Sequence, residues 1–225
     1  MVVNELKREF RGKYPSSAIA SYDWTDIESG TGVVNYIAGV VADSSASIYK
    51  LTTQSFKSNY GVNNTHQYAS KSSDTNFTNP FELNFDTSVF NTPRTIRGKI
   101  SVFIPFATFS AKIYCVVTLY KVSGSTETSI VTFTTQTYSG GNGVTTIGWL
   151  TSEASINSTN VKVGEFLRLE IKPYYRTETT GTTNMKICYN SENTATATTT
   201  DSFPATFPVG YSQLNCSIPY EIQIT

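Results

Sequence analysis

The sequence contains little charge and only one histidine. Asp, Glu, Lys and Arg make up 15% of the 225 residues, well below the share of about 25% in an ordinary soluble domain. The 17 basic and 17 acidic residues cancel, so the chain offers a polyanion no overall attraction and we expect no nucleic-acid partner. Because net neutrality leaves little repulsion between copies, it also favours a homo-oligomer or a packed assembly.

Patterns for catalysis and metal binding are missing as well. The single histidine, His66, lies in NNTHQYA, which contains no nucleophile elbow for a Ser-His-Asp triad. Most acidic residues fall in turns or on the solvent side of strands, which disfavours the paired carboxylates of a glycoside hydrolase. We therefore predict a protein that is not an enzyme and that needs no cofactor or metal.

The chain has three cysteines and no long apolar run. Cys115 and Cys216 share strand parity with apolar neighbours and are predicted to be buried thiols, whereas Cys188 has the opposite parity and is expected to be exposed. None has the spacing of a metal or redox motif. No segment approaches the ~20 apolar residues of a membrane span, and residues 1–8 (MVVNELKR) lack the apolar stretch of a signal peptide. We expect no membrane partner and folding in a reducing cytosol.

Residues that suit a pleated sheet are abundant, including 14 Tyr and 13 Phe. In 161–176 (VKVGEFLRLEIKPYYR) apolar residues alternate with charged ones, the pattern of a strand with one buried face. The predicted inward residues are Leu167, Leu169 and Ile171, and the predicted outward residues are Arg168, Glu170 and Lys172. Roughly ten such segments recur between Gly, Ser and Asn turns. They lie at 32–41, 47–53, 81–86, 94–106, 111–122, 128–137, 144–150, 162–175, 184–190 and 213–225.

This spacing predicts an all-β fold: a jelly-roll-like antiparallel β-sandwich over residues 22–225, preceded by a short N-terminal arm at 1–21. Pro105 and Pro219 each interrupt an apolar strand. Because proline lacks the N–H of a central strand, we place each at an edge, a bulge or a corner. Residues 54–80 are polar and without periodicity, so we predict a long surface loop that faces a partner.

The arm differs from the rest of the chain by its basic residues and its helix-compatible spacing. Its apolar residues recur at i, i+4 and i+8 and would form one stripe against a partner. The residues assigned to partner binding are Val2, Leu6, Phe10, Arg8 and Arg11. The alternative interpretation is a frayed terminus.

Three aromatic residues outside the arm are candidates for a binding role. Trp24, Trp149 and Tyr174 can stack on a sugar ring, as aromatic residues do in carbohydrate-binding sandwiches. The alternative for each is packing in the core or in an interface, because large aromatic side chains bury much apolar surface there.

Several segments of the chain can be compared with a known family. They are SYDWTDIESGTGVVNY, PRTIRGKISVFIPF, TLYKVSGSTETSI, KVGEFLRLEIKPYY, CYNSEN and LNCSIPYEIQIT. Together they resemble the small β-rich, jelly-roll virion structural proteins of tailed bacteriophages, over most of residues 20–225. The resemblance implies a capsid-associated or decoration subunit that is made in the host cytoplasm, resides in the virion and binds other virion proteins of the capsid, vertex or tail. The alternative is a receptor- or glycan-binding module of a tail or head fibre.

Overall fold

The computed structural model describes residues 20–21, 31–42, 47–54, 66–72, 75–178, 181–189 and 212–221. These residues form thirteen β-strands and no helix, which confirms the predicted all-β class. The strands are β1 (Ala20–Ser21), β2 (Thr31–Ala42), β3 (Ser47–Thr52), β4 (His66–Ser72), β5 (Leu83–Asp86), β6 (Arg94–Phe109), β7 (Ala111–Ser123), β8 (Thr126–Thr134), β9 (Tyr138–Ser139), β10 (Thr145–Val161), β11 (Phe166–Thr177), β12 (Thr182–Cys188) and β13 (Leu214–Glu221). No helix long and apolar enough to cross a membrane occurs in these segments.

The strands form one continuous sheet that folds over into a sandwich of two layers. In the first layer β10 and β13 flank β6, and the order continues from β13 through β2 to β3. Beyond the end of β13, β12 pairs with the same edge of β6, and β4 pairs with the other edge of β12. The second layer has the order β5, β11, β7, β8. All described pairings between strands are antiparallel apart from one parallel contact of β3 with β5, which joins the layers.

The core lies between the layers and is built from alternate residues of the strands. Leu167, Leu169 and Ile171 of β11 are fully buried, which confirms their predicted inward face. The inward residues predicted in β6 and β7 are buried as well: Ile96, Ile100, Val102, Ile104, Phe106, Ile113, Cys115, Val117 and Leu119. These side chains converge on one main hydrophobic cluster, and the burial of their apolar surface is the dominant stabilising contribution to such a fold.

Pro105 and Pro219 both lie at irregularities of the sheet, as predicted. Pro105 falls where β6 changes neighbour, since residues up to Phe103 pair with β13 and residues from Phe106 pair with β12. Pro219 lies in the register shift between β13 and β6. It faces Gly98, which has a φ of +121° and where an added Cβ would lie 3.1 Å from the Cβ of Pro219. Such interruptions tolerate a residue that cannot donate a backbone N–H.

Two local predictions were wrong. Residues 66–72, inside the predicted loop 54–80, form β4 and pair with β12, so His66 is the first residue of a strand. β4 is mostly polar, and its apolar residues Tyr68 and Ala69 are adjacent, so it lacks the alternation that marks a strand in sequence. Cys188, predicted to be exposed, is only 3% exposed, because almost every residue of β12 is buried whichever way it points.

Candidate ligand-binding groove

An open groove of about 760 Å³ crosses the outer side of the first layer. Its floor is the outward face of four neighbouring strands in the order β2, β13, β6, β10. The described residues that line it are Asn35, Ile37, Thr53, Ser101, Val102, Phe103, Thr151, Ser152, Glu153, Gln213, Asn215 and Ser217. Most of these side chains are amides or hydroxyls and only Glu153 is charged, whereas apolar atoms supply more of the exposed lining than polar atoms do.

Strand register explains why these residues come together. Val102 and Ile104 of β6 are buried in the core, so the odd-numbered residues between and beside them point outward. Cross-strand pairing then aligns the outward residues of the four strands in two rows. One row is Ile37, Asn215, Phe103 and Thr151, and the other is Asn35, Ser217, Ser101 and Glu153. Residues far apart in the sequence thus share one surface.

An aromatic pair forms one end of the groove. The ring of Phe103 contacts the ring of Trp149, with centroids 5.0 Å apart and planes tilted by 44°. Trp149 lies opposite Pro105 in the pairing of β10 with β6, one row beyond Phe103. The predicted binding residue Trp149 therefore supports the ring that lines the groove and is not itself part of the described lining.

Hydrogen bonding among the polar side chains of the groove is incomplete. The Ser217 hydroxyl donates to Asn35 Oδ1 at 2.6 Å. The Asn215 amide and the Ser101 hydroxyl form no side-chain hydrogen bond with another described residue. An amide and a hydroxyl can each donate and accept, so both remain available to a ligand in the groove.

The outer face of the second layer differs because its charged side chains pair with one another. Arg168 of β11 donates two hydrogen bonds to Asp86, at 2.6 and 2.8 Å, and another to Glu127. The hydrogen bonds to Asp86 have the largest effect on Arg168 and raise its pKa above the ordinary value. A bidentate pair of this kind fixes the geometry of both side chains.

Glu170 lies on the same face, and its burial corrects a prediction. The sequence predicted a solvated Glu170 side chain, but the residue is only 8% exposed. Its carboxylate accepts a hydrogen bond from Tyr120 at 3.2 Å and lies 3.1 Å from Lys172 Nζ. Lys172 Nζ is also 3.1 Å from Glu82. Burial lowers the pKa of Lys172, but its contacts with Glu170 and Glu82 outweigh that effect and raise the pKa overall.

Tyr174 is on this second outer face and not in the groove. Its ring stacks on Tyr114 of β7, with centroids 5.1 Å apart and planes within 4° of parallel. Tyr114 in turn contacts Phe77 at 4.9 Å, and the Arg176 guanidinium lies 5.0 Å from the Phe77 ring. Tyr174 therefore packs within an aromatic cluster, and it does not form a joint site with Trp149.

The remaining predicted site residues are outside the described part of the chain. They are Trp24 and the arm residues Val2, Leu6, Phe10, Arg8 and Arg11, so their roles stay predictions. Across residues 31–221 as far as they are described, no group of three or more His, Cys, Asp or Glu side chains is placed to hold a metal ion.

The residues of the groove floor are absent from the predicted site. The sequence carried part of the signal, because Ser101 and Phe103 alternate with buried residues of β6, and Asn215 and Ser217 alternate with buried residues of β13. Alternation identifies them as outward residues. It does not reveal that β6 and β13 are neighbours, and only that pairing assembles the groove.

The fold is an all-β sandwich with a groove on one outer face, and the chain was compared with known proteins. No protein-family model and no curated protein matches the sequence. Among solved structures, an alpha-amino acid ester hydrolase is 11% identical with a TM-score of 0.47, over 82% of this chain and 36% of that protein. A CocE/NonD family hydrolase from Staphylococcus aureus is 12% identical with a TM-score of 0.46, over 83% and 36%. The VP2 subviral particle of infectious bursal disease virus is 8% identical with a TM-score of 0.25, over 84% and 43%.

The prediction that the chain is not an enzyme is contradicted by this comparison, and we withdraw it, because two of these structures are hydrolases. That prediction depended on a search for catalytic residues within one chain. The chain spans 36% of the length of both hydrolases. At TM-scores below 0.5 neither the hydrolases nor the viral particle protein assigns an activity or a role to this chain.

Proposed function

We propose that this chain is a structural protein of a virion, and more specifically a capsid-associated or decoration subunit of a tailed bacteriophage. The observation that carries the proposal is the difference between the two outer faces of the sandwich. The face of β5, β11, β7 and β8 pairs its own charges. The face of β2, β13, β6 and β10 has one exposed ion pair, between Lys99 and Glu153, and leaves the Asn215 amide and the Ser101 hydroxyl without a side-chain hydrogen bond to another described residue. An open face with a groove and few charges is suited to attachment to a larger assembly.

The core supports the same proposal. Both layers contribute fully buried side chains to one main cluster, among them Ile104, Leu119 and Leu169. A domain whose core is closed within its own chain can fold before it meets a partner. A subunit that is added to a particle needs this property, and the sequence resemblance to phage virion proteins agrees with it.

The test is the location of the chain in a purified particle. A cryo-EM reconstruction of the virion should contain density for the sandwich, with the groove face turned toward a neighbouring virion protein. Particles that carry the gene but lack the protein would overturn the structural role. Density in which the groove face is turned to solvent, while the opposite face contacts the particle, would contradict the assignment of the groove face as the attachment surface.

A matched pair of variants tests the assignment of the faces. Ser101→Arg places a long cationic side chain in the groove, and Ser129→Arg places the same side chain on β8 at the opposite outer face. We expect Ser101→Arg to reduce incorporation into particles and Ser129→Arg to leave it unchanged. Circular dichroism of both purified variants controls for folding. Equal incorporation of the two variants would contradict the proposed attachment face.

A second candidate function is a receptor- or glycan-binding module of a tail or head fibre. The specific observation that favours it is the position of Phe103 between Asn215 and Thr151 in its cross-strand row. An aromatic face bordered by hydrogen-bonding groups suits a ligand with an apolar body and polar edges. Competition of the purified domain with phage adsorption to cells tests it, and a domain without effect on adsorption would speak against it.

A further inference from the structure

We propose that the groove across β2, β13, β6 and β10 is a binding site for an uncharged oligosaccharide. Phe103 provides the ring against which the sugar packs, and Asn215 and Ser101 provide hydrogen bonds to its hydroxyl groups. This inference rests on the second candidate function above, to which it adds the site, the residues and the class of ligand. It concerns the same face as the attachment surface proposed above, and a groove covered by a neighbouring virion protein would not hold a sugar.

The polar residues of the groove can form hydrogen bonds with a sugar. A sugar hydroxyl donates and accepts hydrogen bonds, and so do amide and hydroxyl side chains. Asn215 and Ser101 lie on adjacent strands and have no side-chain hydrogen bond to another described residue. The Ser217 hydroxyl is already oriented by its 2.6 Å bond to Asn35. All of these side chains stand on strands of one sheet, so their spacing is fixed before a ligand arrives.

The aromatic residue Phe103 can pack against a sugar ring. Phe103 lies between Asn215 and Thr151 in its cross-strand row, which places its ring among hydrogen-bonding groups. The contact with Trp149 holds the ring from one side, and the ring lines the groove. The face of an aromatic ring is electron-rich and attracts weakly positive C–H groups. The C–H face of a sugar ring is therefore complementary to this position.

Charge decides which class of sugar fits. Glu153 is the one charged residue in the described lining of the groove. Its carboxylate lies 3.6 Å from Lys99, and the two side chains are 62% and 67% exposed. Lys99 offsets this carboxylate at the edge of the groove, and the described lining holds no cation of its own. A sugar that carries a carboxylate or a sulfate would lose water around its charge without gaining a partner in the lining, so an uncharged sugar is favoured.

The dimensions of the groove indicate an oligosaccharide. Four strands spaced by about 4.8 Å extend over roughly 14 Å, so the floor is longer than a single sugar ring. The volume of about 760 Å³ lies within the range of roughly 300–1,000 Å³ that is typical of ligand sites. Because the floor is an open strip, a chain of sugar units can lie across the strands with both ends outside.

The test uses the full chain and a glycan array. The array holds uncharged gluco-, galacto- and manno-oligosaccharides beside sialylated and uronic-acid oligosaccharides, and isothermal titration measures the affinity of each hit. We expect binding to at least one uncharged oligosaccharide. Phe103→Ala and Asn215→Ala should each weaken it by roughly tenfold or more, while Phe103→Tyr, which keeps the ring, should bind nearly as well as the native chain.

Tyr174→Ala is the matched control, since it removes an aromatic side chain from the opposite outer face. Its binding should equal that of the native chain. Thermal melts of every variant separate loss of binding from loss of folding, and Ser101→Arg provides a second variant that blocks the groove without removing the ring. Binding confined to acidic sugars, binding that depends on Tyr174 instead of Phe103, or no binding to any uncharged oligosaccharide would each overturn the proposal. None of these results would affect the proposed virion role, which is tested by location in the particle.

Discussion

Leu169 and Glu170 are consecutive residues of β11 that point to opposite sides of the sheet, and both are buried. Leu169 belongs to the hydrophobic cluster between the layers. Glu170 is covered on the outer face by Tyr120 and Lys172, with which it pairs. Burial along one strand therefore has two physical origins, and substitutions at the two positions should have different consequences.

Leu169→Ala should lower the free energy of unfolding by about 2–5 kcal/mol, because it removes buried apolar surface and leaves a cavity between the layers. Urea denaturation followed by tryptophan fluorescence measures the change. The control is Val163→Ala in the turn before β11, where the side chain is 62% exposed and the expected change lies within about ±0.5 kcal/mol. Equal losses for the two variants would mean that Leu169 does not belong to the core.

Glu170→Ala should also destabilise the protein, by about 1–2 kcal/mol, since it leaves a partly buried tyrosine hydroxyl and an ammonium with fewer partners. The loss is limited because Lys172 keeps its contact with Glu82. Glu170→Gln, which keeps the shape but not the charge, separates packing from ion pairing in the same denaturation experiment. A change of less than about 0.5 kcal/mol for Glu170→Ala would mean that the side chain is solvated, as the sequence predicted.

The three cysteines give a further prediction for single residues. Cys115, Cys188 and Cys216 are all buried and none of them forms a disulfide, and burial raises the pKa of Cys115 and of Cys216. Because the reactive form is the thiolate, a disulfide-exchange reagent at neutral pH should label none of them in the folded protein. All three should react after unfolding in urea. Rapid labelling of native Cys188 would show that β12 is open on one side.

At the scale of elements, the alternation of residue types predicts strands whose two faces meet different surroundings. β11 and β6 were predictable because one face enters the core and the other does not. β4 was not, because its sequence HQYASKS is mostly polar without apolar alternation, and its place depends on pairing with β12. The length of β10, which extends to Val161, exceeds the predicted segment for the same reason. Its polar second half is a strand because β6 lies beside it along its whole length.

The end of β11 supplies a pH-dependent contact between elements. Glu178, the residue after β11, accepts a hydrogen bond of 2.6 Å from Ser139 of β9 and lies 3.0 Å from Lys112 of β7. Burial raises the pKa of Glu178, but the bonds from Ser139 and Lys112 outweigh it, so the pKa lies below the ordinary value of 4.5. A pKa lowered by folding stabilises the protein above the unfolded value, and this contribution is lost as the pH falls through the folded value.

Glu178→Gln should therefore be less stable than the native chain at neutral pH, and the difference should shrink once the pH falls below 4.5. Urea midpoints of both proteins between about pH 7 and about pH 3 measure this dependence. Glu153→Gln is the control, because that side chain is 62% exposed and its ion pair is screened by solvent. A difference between Glu178→Gln and the native chain that stays constant with pH would exclude the carboxylate as its source.

At the scale of the whole molecule, the groove shows why a site can be harder to predict than a fold. The fold class follows from many segments with the same period, each of which is visible locally. The groove instead depends on β13 lying between β2 and β6, which brings Asn215 beside Phe103. Single aromatic residues, such as Trp149 and Tyr174, stand out in a sequence. Their positions on different faces of the sandwich are set by long-range pairing that no local pattern contains.

The arm gives the last prediction, which concerns attachment of the whole molecule to its particle. Residues 1–21 have little apolar area of their own, and an isolated helix of this length is marginal in water. We propose that Val2, Leu6 and Phe10 form one stripe against a partner subunit, with Arg8 and Arg11 facing acidic residues on it. Deletion of residues 1–14 should then weaken incorporation into particles and leave the melting temperature nearly unchanged, because the described core draws on residues from Ala38 to Ile218.

Two measurements on the truncated chain decide between the outcomes, namely its thermal melt and its copy number in purified particles. A triple substitution of the three stripe residues by serine is the matched variant, since it keeps the length and the charges of the arm. It should reduce incorporation as much as the deletion does if apolar contact anchors the arm, and it should do so less if the arginines dominate. Unfolding of the truncated chain would place the arm within the fold, and normal incorporation would leave attachment to the groove face, where Ser101→Arg tests it independently.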